Sequence, residues 1–254
     1  MAIPKIALIP SGVKAGKLYS VLPTDGTGDF TTTRASVATR VNENGLIEEV
    51  AANVPRLDYS DGGCPSLLLE PTATNLITYS EDFSDASWVK TRSSILINNS
   101  ISPEGTLTAD KIIASTDNAT HRVDFYYALT DNSTYTYSIF AKKGEYNCFA
   151  LQIGSTSISS DSAEFNLNTG VSTSGGGTII SSKIEPLSND WFKCSLTMLA
   201  GVTDIVNLGI GNDNVYSFVG DGTSGLYLWG AQFEENSYAT SYIKTVGTTQ
   251  TRSA

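Results

Sequence analysis

The sequence predicts an all-β fold: a β-sandwich preceded by an extended, β-rich N-terminal region. Three observations carry this. No segment sustains an apolar i, i+3, i+4 pattern with helix caps. Period-two alternation of apolar and polar residues recurs along most of the chain. The alternating runs are separated by glycine, proline, asparagine and aspartate clusters, whose backbone preferences make turns.

Residues 1–72 form the first part. Short extended pieces at 5–9, 17–22, 38–41 and 46–50 are divided by P-S-G, T-D-G-T-G-D and N-E-N-G. Each piece has too few apolar residues to build a core alone, so it must lie against something else. Two readings stand, an arm that wraps a neighbouring molecule and a set of edge strands on the chain's own domain. The side chains of the first two pieces, Lys5, Ile6, Leu8, Lys17, Leu18 and Tyr19, are the candidate anchoring contacts.

The stretch 67-LLLEPTATNLITYSEDFSDASWVK-90 is a seam. Pro71 lacks an N–H donor and biases Glu70 to an extended conformation, so the ladder begun at Leu67–Leu69 need not continue. Leu76, Ile77 and Tyr79 then open the second part, with Phe83 and Trp88 packing beneath it. The boundary is placed between residues 72 and 73.

Residues 73–254 read as the sandwich. Strands are expected at 95–97, 111–114, 121–127 and 134–141. In the last of these Tyr135, Tyr137 and Ile139 alternate with Thr136, Ser138 and Phe140. K-K-G-E then turns the chain into 146–153, which reads as a hairpin. AEFNLNTG puts Phe165 and Leu167 on one face and ends in a turn closed by Gly170. Further strands follow at 178–184, 191–199, 204–210 and 225–233. Eight to ten strands at this spacing suit a jelly roll or related sandwich, not βαβ units.

Composition narrows the function. With 26 acidic against 16 basic residues the formal charge is −10, which argues against nucleic acid or an anionic membrane as partner. No run reaches the length of a membrane-spanning helix, and the short apolar start, cut by Pro4 and Pro10, lacks a signal-peptide core. Cys64, Cys148 and Cys194 are widely spaced and odd in number, as expected of reduced thiols made in a cytosol. The Asn98, Asn118 and Asn132 sequons are read as chance in a Ser/Thr-rich chain.

Motifs for chemistry are missing. There is no G-x-S-x-G elbow, phosphate loop, dinucleotide fingerprint or H-E-x-x-H. The one histidine, His121, starts an alternating strand and is expected to face solvent. The pairs Glu48–Glu49, Glu81–Asp82 and Glu234–Glu235 are adjacent, which in a strand sends them to opposite faces. Loops 211–214 and 219–222 carry oxygen ligands that calcium could use, but the same residues make ordinary turns. No catalytic residue, metal site or cofactor is therefore assigned. Aromatic residues remain: Trp88, Tyr126, Tyr127 and Tyr216 are the candidate glycan contacts, since a sugar's C–H face stacks on an exposed ring. Trp191 is a further aromatic of this kind, and it and Trp229 are expected to be packed.

Several segments together carry a family likeness. They are PRLDYSDGGCPSLLLEPTATNLITYSEDFSDASWVK, FNLNTG, NDWFKCSLTM and LYLWGAQFEENSYATSYIKT. They resemble the phage head spike or head fibre domain of tailed-phage structural proteins. The stretch ALIPSGVKAGKLYSVLPTDGTGDFTTTRASVATRVNENGLIEE resembles the leader before this module, including in crAss-like phages. The likeness spans nearly the whole chain. It implies a non-enzymatic virion protein made in the host cytoplasm, a head fibre or capsid decoration protein. Its N-terminal region would mount a carbohydrate-binding-module-like sandwich on the particle. Implied partners are other capsid or tail proteins, further copies of the chain (a trimer by analogy with phage fibres) and surface glycans. The alternative is a glycan-binding tail fibre or adhesin. Where many relatives have Gln-Arg-Thr after Glu-Pro, this chain has Thr72-Ala73-Thr74, so a contact made by that arginine is lost. The modules' calcium ligands have no counterpart near Trp229-Gly230-Ala231, and no metal site is carried over.

Overall fold

The computed structural model describes residues 10–20, 28–153, 162–201, 205–212 and 214–254. The candidate contacts Lys5, Ile6 and Leu8 lie outside them. In chain order the strands of the N-terminal part are β1 (Pro10–Lys14), β2 (Lys17–Ser20), β3 (Phe30–Thr31), β4 (Ala38–Val41), β5 (Ile47–Val50), β6 (Leu57–Asp58) and β7 (Ser66–Leu67). After the seam come β8 (Ala73–Asn75), β9 (Trp88–Thr91), β10 (Ser93–Ile101), β11 (Leu107–Ala114), β12 (Asn118–Tyr126), β13 (Thr134–Lys143) and β14 (Cys148–Ile153). The chain continues through β15 (Ser162–Asn166), β16 (Val171–Gly175), β17 (Ile179–Pro186), β18 (Phe192–Leu199), β19 (Ile205–Gly211), β20 (Ser217–Val219), β21 (Gly225–Glu234) and β22 (Gln250–Arg252).

Two antiparallel sheets form the all-β sandwich. One has the order β10-β11-β21-β13-β18-β17. The other runs β16-β15-β14-β19-β12-β20, with β9 also on β12. Between them lies one apolar core, in which Tyr135, Tyr137, Ile139, Leu196 and Phe233 of the first sheet meet Val123, Phe125, Phe149, Leu151, Phe165 and Leu208 of the second. Fully burying each large apolar side chain is worth about 1.5–3 kcal/mol. Tyr135 and Phe233 stack with centroids 5.1 Å apart, as do Phe149 and Phe165.

The K-K-G-E turn is not a hairpin. β13 pairs with β18 and β21, whereas β14 pairs with β15 and β19, so the turn carries the chain from one sheet to the other. Its geometry is fixed by close backbone approach. A Cβ on Gly144 would lie 2.4 Å from the Gly225 carbonyl oxygen, and Glu145 accepts from the Gly225 N–H at 3.0 Å. The 187–191 link is a hairpin connection, joining β17 to β18 through a 3-10 turn with Asn189 at φ 59°.

β13 and β21 are buried on both faces along almost their whole length. The cause is a third layer laid over the outer face of the six-stranded sheet by the chain's own ends. Residues after β21 return across it. Thr136 Oγ1 donates to the Asn236 carbonyl (2.9 Å), Lys193 Nζ to that of Thr240 (2.8 Å), and the Ile243 N–H to Gln232 Oε1 (2.6 Å). The β4–β5 hairpin joins this layer, with Thr39 Oγ1 donating to the Tyr242 carbonyl (2.6 Å) and the Ile47 N–H to that of Pro103 (2.9 Å). Beneath it Phe140, Trp191, Trp229, Tyr242, Ile47 and Ala109 form a second apolar cluster. Gly230, at φ 61°, makes the bulge that lets Trp229 face this cluster while Leu228 and Ala231 face the core; a Cβ there would meet Phe140 at 2.9 Å. Of the two sequence readings of the N-terminal part, the described hairpins β4–β5 follow the second: they lie on the chain's own sheet.

The seam is held by charge. Glu70 accepts from Arg56 Nη1 (2.7 Å), Ser241 N–H (2.7 Å) and Ser241 Oγ (2.6 Å), and lies 3.6 Å from Arg252 Nη2. Burial pushes its carboxyl up. The Ser241 hydrogen bonds and the Arg252 and Arg56 charges outweigh that and hold it below the usual range. Beyond Pro71, β8 pairs with β22, so the start of the second part and the end of the chain close on each other.

Candidate functional site

Among the described residues, the outer face of the seven-stranded sheet has a buried centre and exposed margins. Alternation decides what stands on it. Val123 and Phe125 point into the core, so Arg122, Asp124 and Tyr126 point out. Phe149 and Leu151 point in, so Cys148, Ala150 and Gln152 point out. Likewise Ser162 and Glu164 flank the inward Ala163 and Phe165, and Gly209 flanks the inward Leu208 and Ile210.

Strand register aligns these positions into rows. One row runs Thr91–Arg122–Gly209–Ala150–Glu164–Thr173, and the next runs Val89–Asp124–Asn207–Gln152–Ser162–Gly175. Six strands at about 4.8 Å spacing make each row roughly 24 Å long. The middle of the first row, Gly209 and Ala150, is small and buried, while its ends carry charged and hydroxyl groups.

The polar groups are arranged and not merely present. Arg122 Nε donates to both carboxylate oxygens of Asp124, at 2.9 and 3.0 Å, and Thr91 Oγ1 donates to the same carboxylate at 3.2 Å. Asp124, Gln152 and Ser162 are buried at the centre, whereas Val89, Tyr126, Val171 and Thr173 are exposed at the margins. Burial pushes the Asp124 carboxyl up despite the pull of Arg122, and burial also raises Glu164. Of the outward side chains, Tyr126 is exposed at the edge and Arg122 and Glu164 are half-buried, whereas Asp124 and Gln152 are buried.

Tyr126 stands on this face and is 53% exposed. Tyr216 is half-buried over β14 and β19: a Cβ on Gly211 would come within 2.7 Å of its ring, and its hydroxyl is 3.4 Å from the Phe149 carbonyl oxygen. Burial pushes the Tyr216 hydroxyl far up. Trp88 is corrected as a glycan contact and holds as a packed residue. Trp88 is 1% exposed, packed on Phe83 and Phe125, with its indole N–H donating to the Tyr79 carbonyl at 2.9 Å. Tyr127 packs edge-on against Tyr135 and Phe233 at the core margin. Trp88 lies out of a glycan's reach because it fills space between the sheets, whereas Tyr127 is only partly buried. Trp191 and Trp229 are packed, as the sequence suggested.

His121 is also corrected. It is fully buried, its Nδ1 2.7 Å from the Arg92 carbonyl oxygen and its Nε2 3.1 Å from that of Phe218, so both ring nitrogens are committed to the fold. Asp221, in one of the loops with oxygen ligands, spends its carboxylate on the N–H groups of Thr223 and Ser224 and the Ser224 hydroxyl, at 2.6–2.8 Å. Among the described residues no three His, Cys, Asp or Glu side chains are grouped to hold a metal ion. Of the candidate anchoring residues, Lys17 pairs with Asp29 at 2.9 Å, Leu18 is buried, and the Tyr19 ring lies 5.5 and 5.4 Å from the ammonium groups of Lys14 and Lys17.

Arg122, Asp124, Gln152 and Glu164 were missed as site residues. Arg122 and Asp124 were legible, because in T-H-R-V-D-F-Y they share a face with Tyr126. Gln152 and Glu164 needed the register.

Compared with known proteins, the chain matches no family model and no curated protein. Among solved structures it is similar to the CBM22-1–GH10 modules of the N-terminal endo-1,4-beta-D-xylanase 10B from Clostridium thermocellum, complexed with xylohexaose. The identity is 13% and the TM-score 0.36, over 69% of this chain and 30% of that one. This chain thus spans under a third of that protein's length, and the sandwich assignment stands on the strand pairing above.

Proposed function

We propose that the protein is a non-enzymatic structural component of a tailed-phage virion, a head fibre or capsid decoration protein. It displays a β-sandwich that binds surface glycans through the outer face of the seven-stranded sheet. The observation that carries the binding role is Tyr126, 53% exposed at the margin of that face, with Arg122 and Glu164 half-buried on the same face. Polysaccharides are recognised by such groups, planar hydrogen-bonding side chains with an aromatic ring for the C–H face. The virion role is supported by the head-fibre likeness of the sequence. In this reading the N-terminal region mounts the chain on capsid or tail proteins, and further copies assemble with it.

A glycan-array screen of the purified chain against bacterial surface polysaccharides tests the binding role. Saturable hits are expected, and a blank array at high protein concentration refutes it. Immunogold labelling of intact particles tests placement: label over the head is expected. Label confined to the tail tip favours the second reading, a tail fibre or adhesin using the same face, and no label on particles removes the virion role.

A further inference from the structure

The two edges of the six-stranded sheet are guarded differently. An edge strand presents unpaired N–H and C=O groups, and lysine, proline or other charge on it keeps a second strand away. At one edge β17 carries Lys183, Glu185 and Pro186, and it lies against β16, with Ser182 Oγ 3.4 Å from Ser172 Oγ. At the other edge β10 pairs only with β11 among the described residues. Its sequence, S-S-I-L-I-N-N-S-I, has neither a charged residue nor a proline.

The apolar residues along this edge are open to solvent. Leu96, Ile97 and Ile101 of β10, and Leu107, which faces Ile101 from β11, are each 47–58% exposed. The β4–β5 hairpin touches the turn beyond the strand, with the Ile47 N–H on the Pro103 carbonyl, and leaves these four side chains uncovered. Together they make a patch of roughly 400 Å², more than scattered surface residues give. Asn98, at φ 51°, makes a bulge in mid-strand, its N–H turned back to Asp110 Oδ1 at 2.9 Å. Opposite charges flank the strand. Arg92, just before it, is exposed and gives its Nε–H to the Thr120 carbonyl; Glu104, just after it, accepts from the Thr106 and Thr108 hydroxyls. Each charge therefore meets neutral partners at hydrogen-bond distance.

We propose that β10 is the contact between two copies of this chain, set antiparallel across a twofold axis near Asn98. Such an axis places residues before the bulge against residues after it. Leu96 and Ile97 of one copy then meet Ile101 and Leu107 of the other, and Arg92 meets Glu104 at both ends. The occupant is a second copy because the strand is complementary to itself. A chain of formal charge −10 repels its like over most of its surface, but not along an uncharged strand whose two ends differ in sign. The two patches would bury about 800 Å², half of a standard interface of about 1,600 Å², leaving the rest to the strand backbone and its polar residues. The inference rests on the assembly part of the proposed function for the expectation of further copies, and adds where two of them meet.

Sedimentation equilibrium of the full chain tests this. A reversible association through dimers is expected. Leu96→Lys, at an exposed position, should weaken it about tenfold or more at an unchanged melting temperature. Glu104→Arg should weaken it about threefold, and Arg92→Glu combined with Glu104→Arg should restore it, since the exchange keeps opposite charges facing each other. Ile180→Lys, an equally exposed site on the guarded strand β17, should leave it unchanged. A native chain that stays monomeric at high concentration overturns both the proposal and the expectation of further copies. An oligomer that Leu96→Lys leaves intact overturns the β10 contact alone, and assembly then runs through another surface. Equal weakening by Ile180→Lys, or no recovery in the double variant, overturns the twofold contact as well.

Discussion

The two outer faces of this sandwich start from similar sequence and end in opposite states. On the six-stranded sheet the outward residues Thr136, Phe140, Gln232 and Glu234 are buried by the chain's own C-terminal segment and N-terminal hairpin. On the seven-stranded sheet the outward row has a buried polar centre and exposed margins at Val89, Tyr126 and Val171. A polar residue at an outward position therefore means two different things. Gln232 and Glu234 fasten a cover, with Thr240 donating to Glu234 through both its N–H and its hydroxyl. Arg122 and Asp124 hold each other in place on a face whose margins are exposed.

The sharpest way to break the comparison is to release the cover. Glu70→Ala leaves the Arg56 and Arg252 guanidinium groups buried without their carboxylate, and removing one partner of such a group costs about 3–5 kcal/mol. Urea denaturation should show that loss, and a change below about 1 kcal/mol would mean the seam is not held by charge.

A matched pair of substitutions compares the faces directly. Phe140→Ala, on the covered face, should cost about 3 kcal/mol or more, because the ring packs against Trp229 and Tyr242. Val89→Ala, at the margin of the other face, should stay within about 0.5 kcal/mol. Equal costs would erase the distinction.

Acid gives a smaller effect whose sign separates the faces. The Glu70 carboxyl is lower in the folded state than its ordinary 4.5, so its contribution is present above about pH 4.5 and is lost as pH falls through the folded value. The stability gap between the native chain and Glu70→Gln should narrow in acid. Asp124 is raised in the folded state, so its contribution is present below its ordinary 3.8 and is lost as pH rises through the folded value. Asp124→Asn should therefore gain on the native chain as pH rises. Unfolding free energies across this range, with both variants shifting the same way, would contradict the assignment.

Much of the sandwich was legible because alternation and turn residues are local signals. Tyr135, Tyr137 and Ile139 read as one face and stand on it. What was not legible is partnership. K-K-G-E has the chemistry of a hairpin turn, yet it changes sheets, since turn residues fix a local reversal and not the strand that is met afterwards. Thr136 and Ser138 read as the opposite face of that strand, and the return of the chain buries them. The seam at Glu70-Pro71 was visible as an interruption, but its glue comes from Arg56, Ser241 and Arg252, two of them more than 160 residues away in a chain of 254. For the site, Tyr126 was nominated correctly as exposed. Trp88 reads both as packed beneath the seam and as a glycan contact, because a tryptophan in an alternating strand carries no mark of which face it occupies, and it is packed.

The central claim is that the seven-stranded face binds glycan while the covered face serves stability. The most direct measurement is the affinity of Tyr126→Ala for the polysaccharide giving the strongest array signal, taken beside its melting temperature. The account predicts a loss of about tenfold or more, about 1.4 kcal/mol, at an unchanged melting temperature. Undiminished affinity in a fully folded Tyr126→Ala would contradict it.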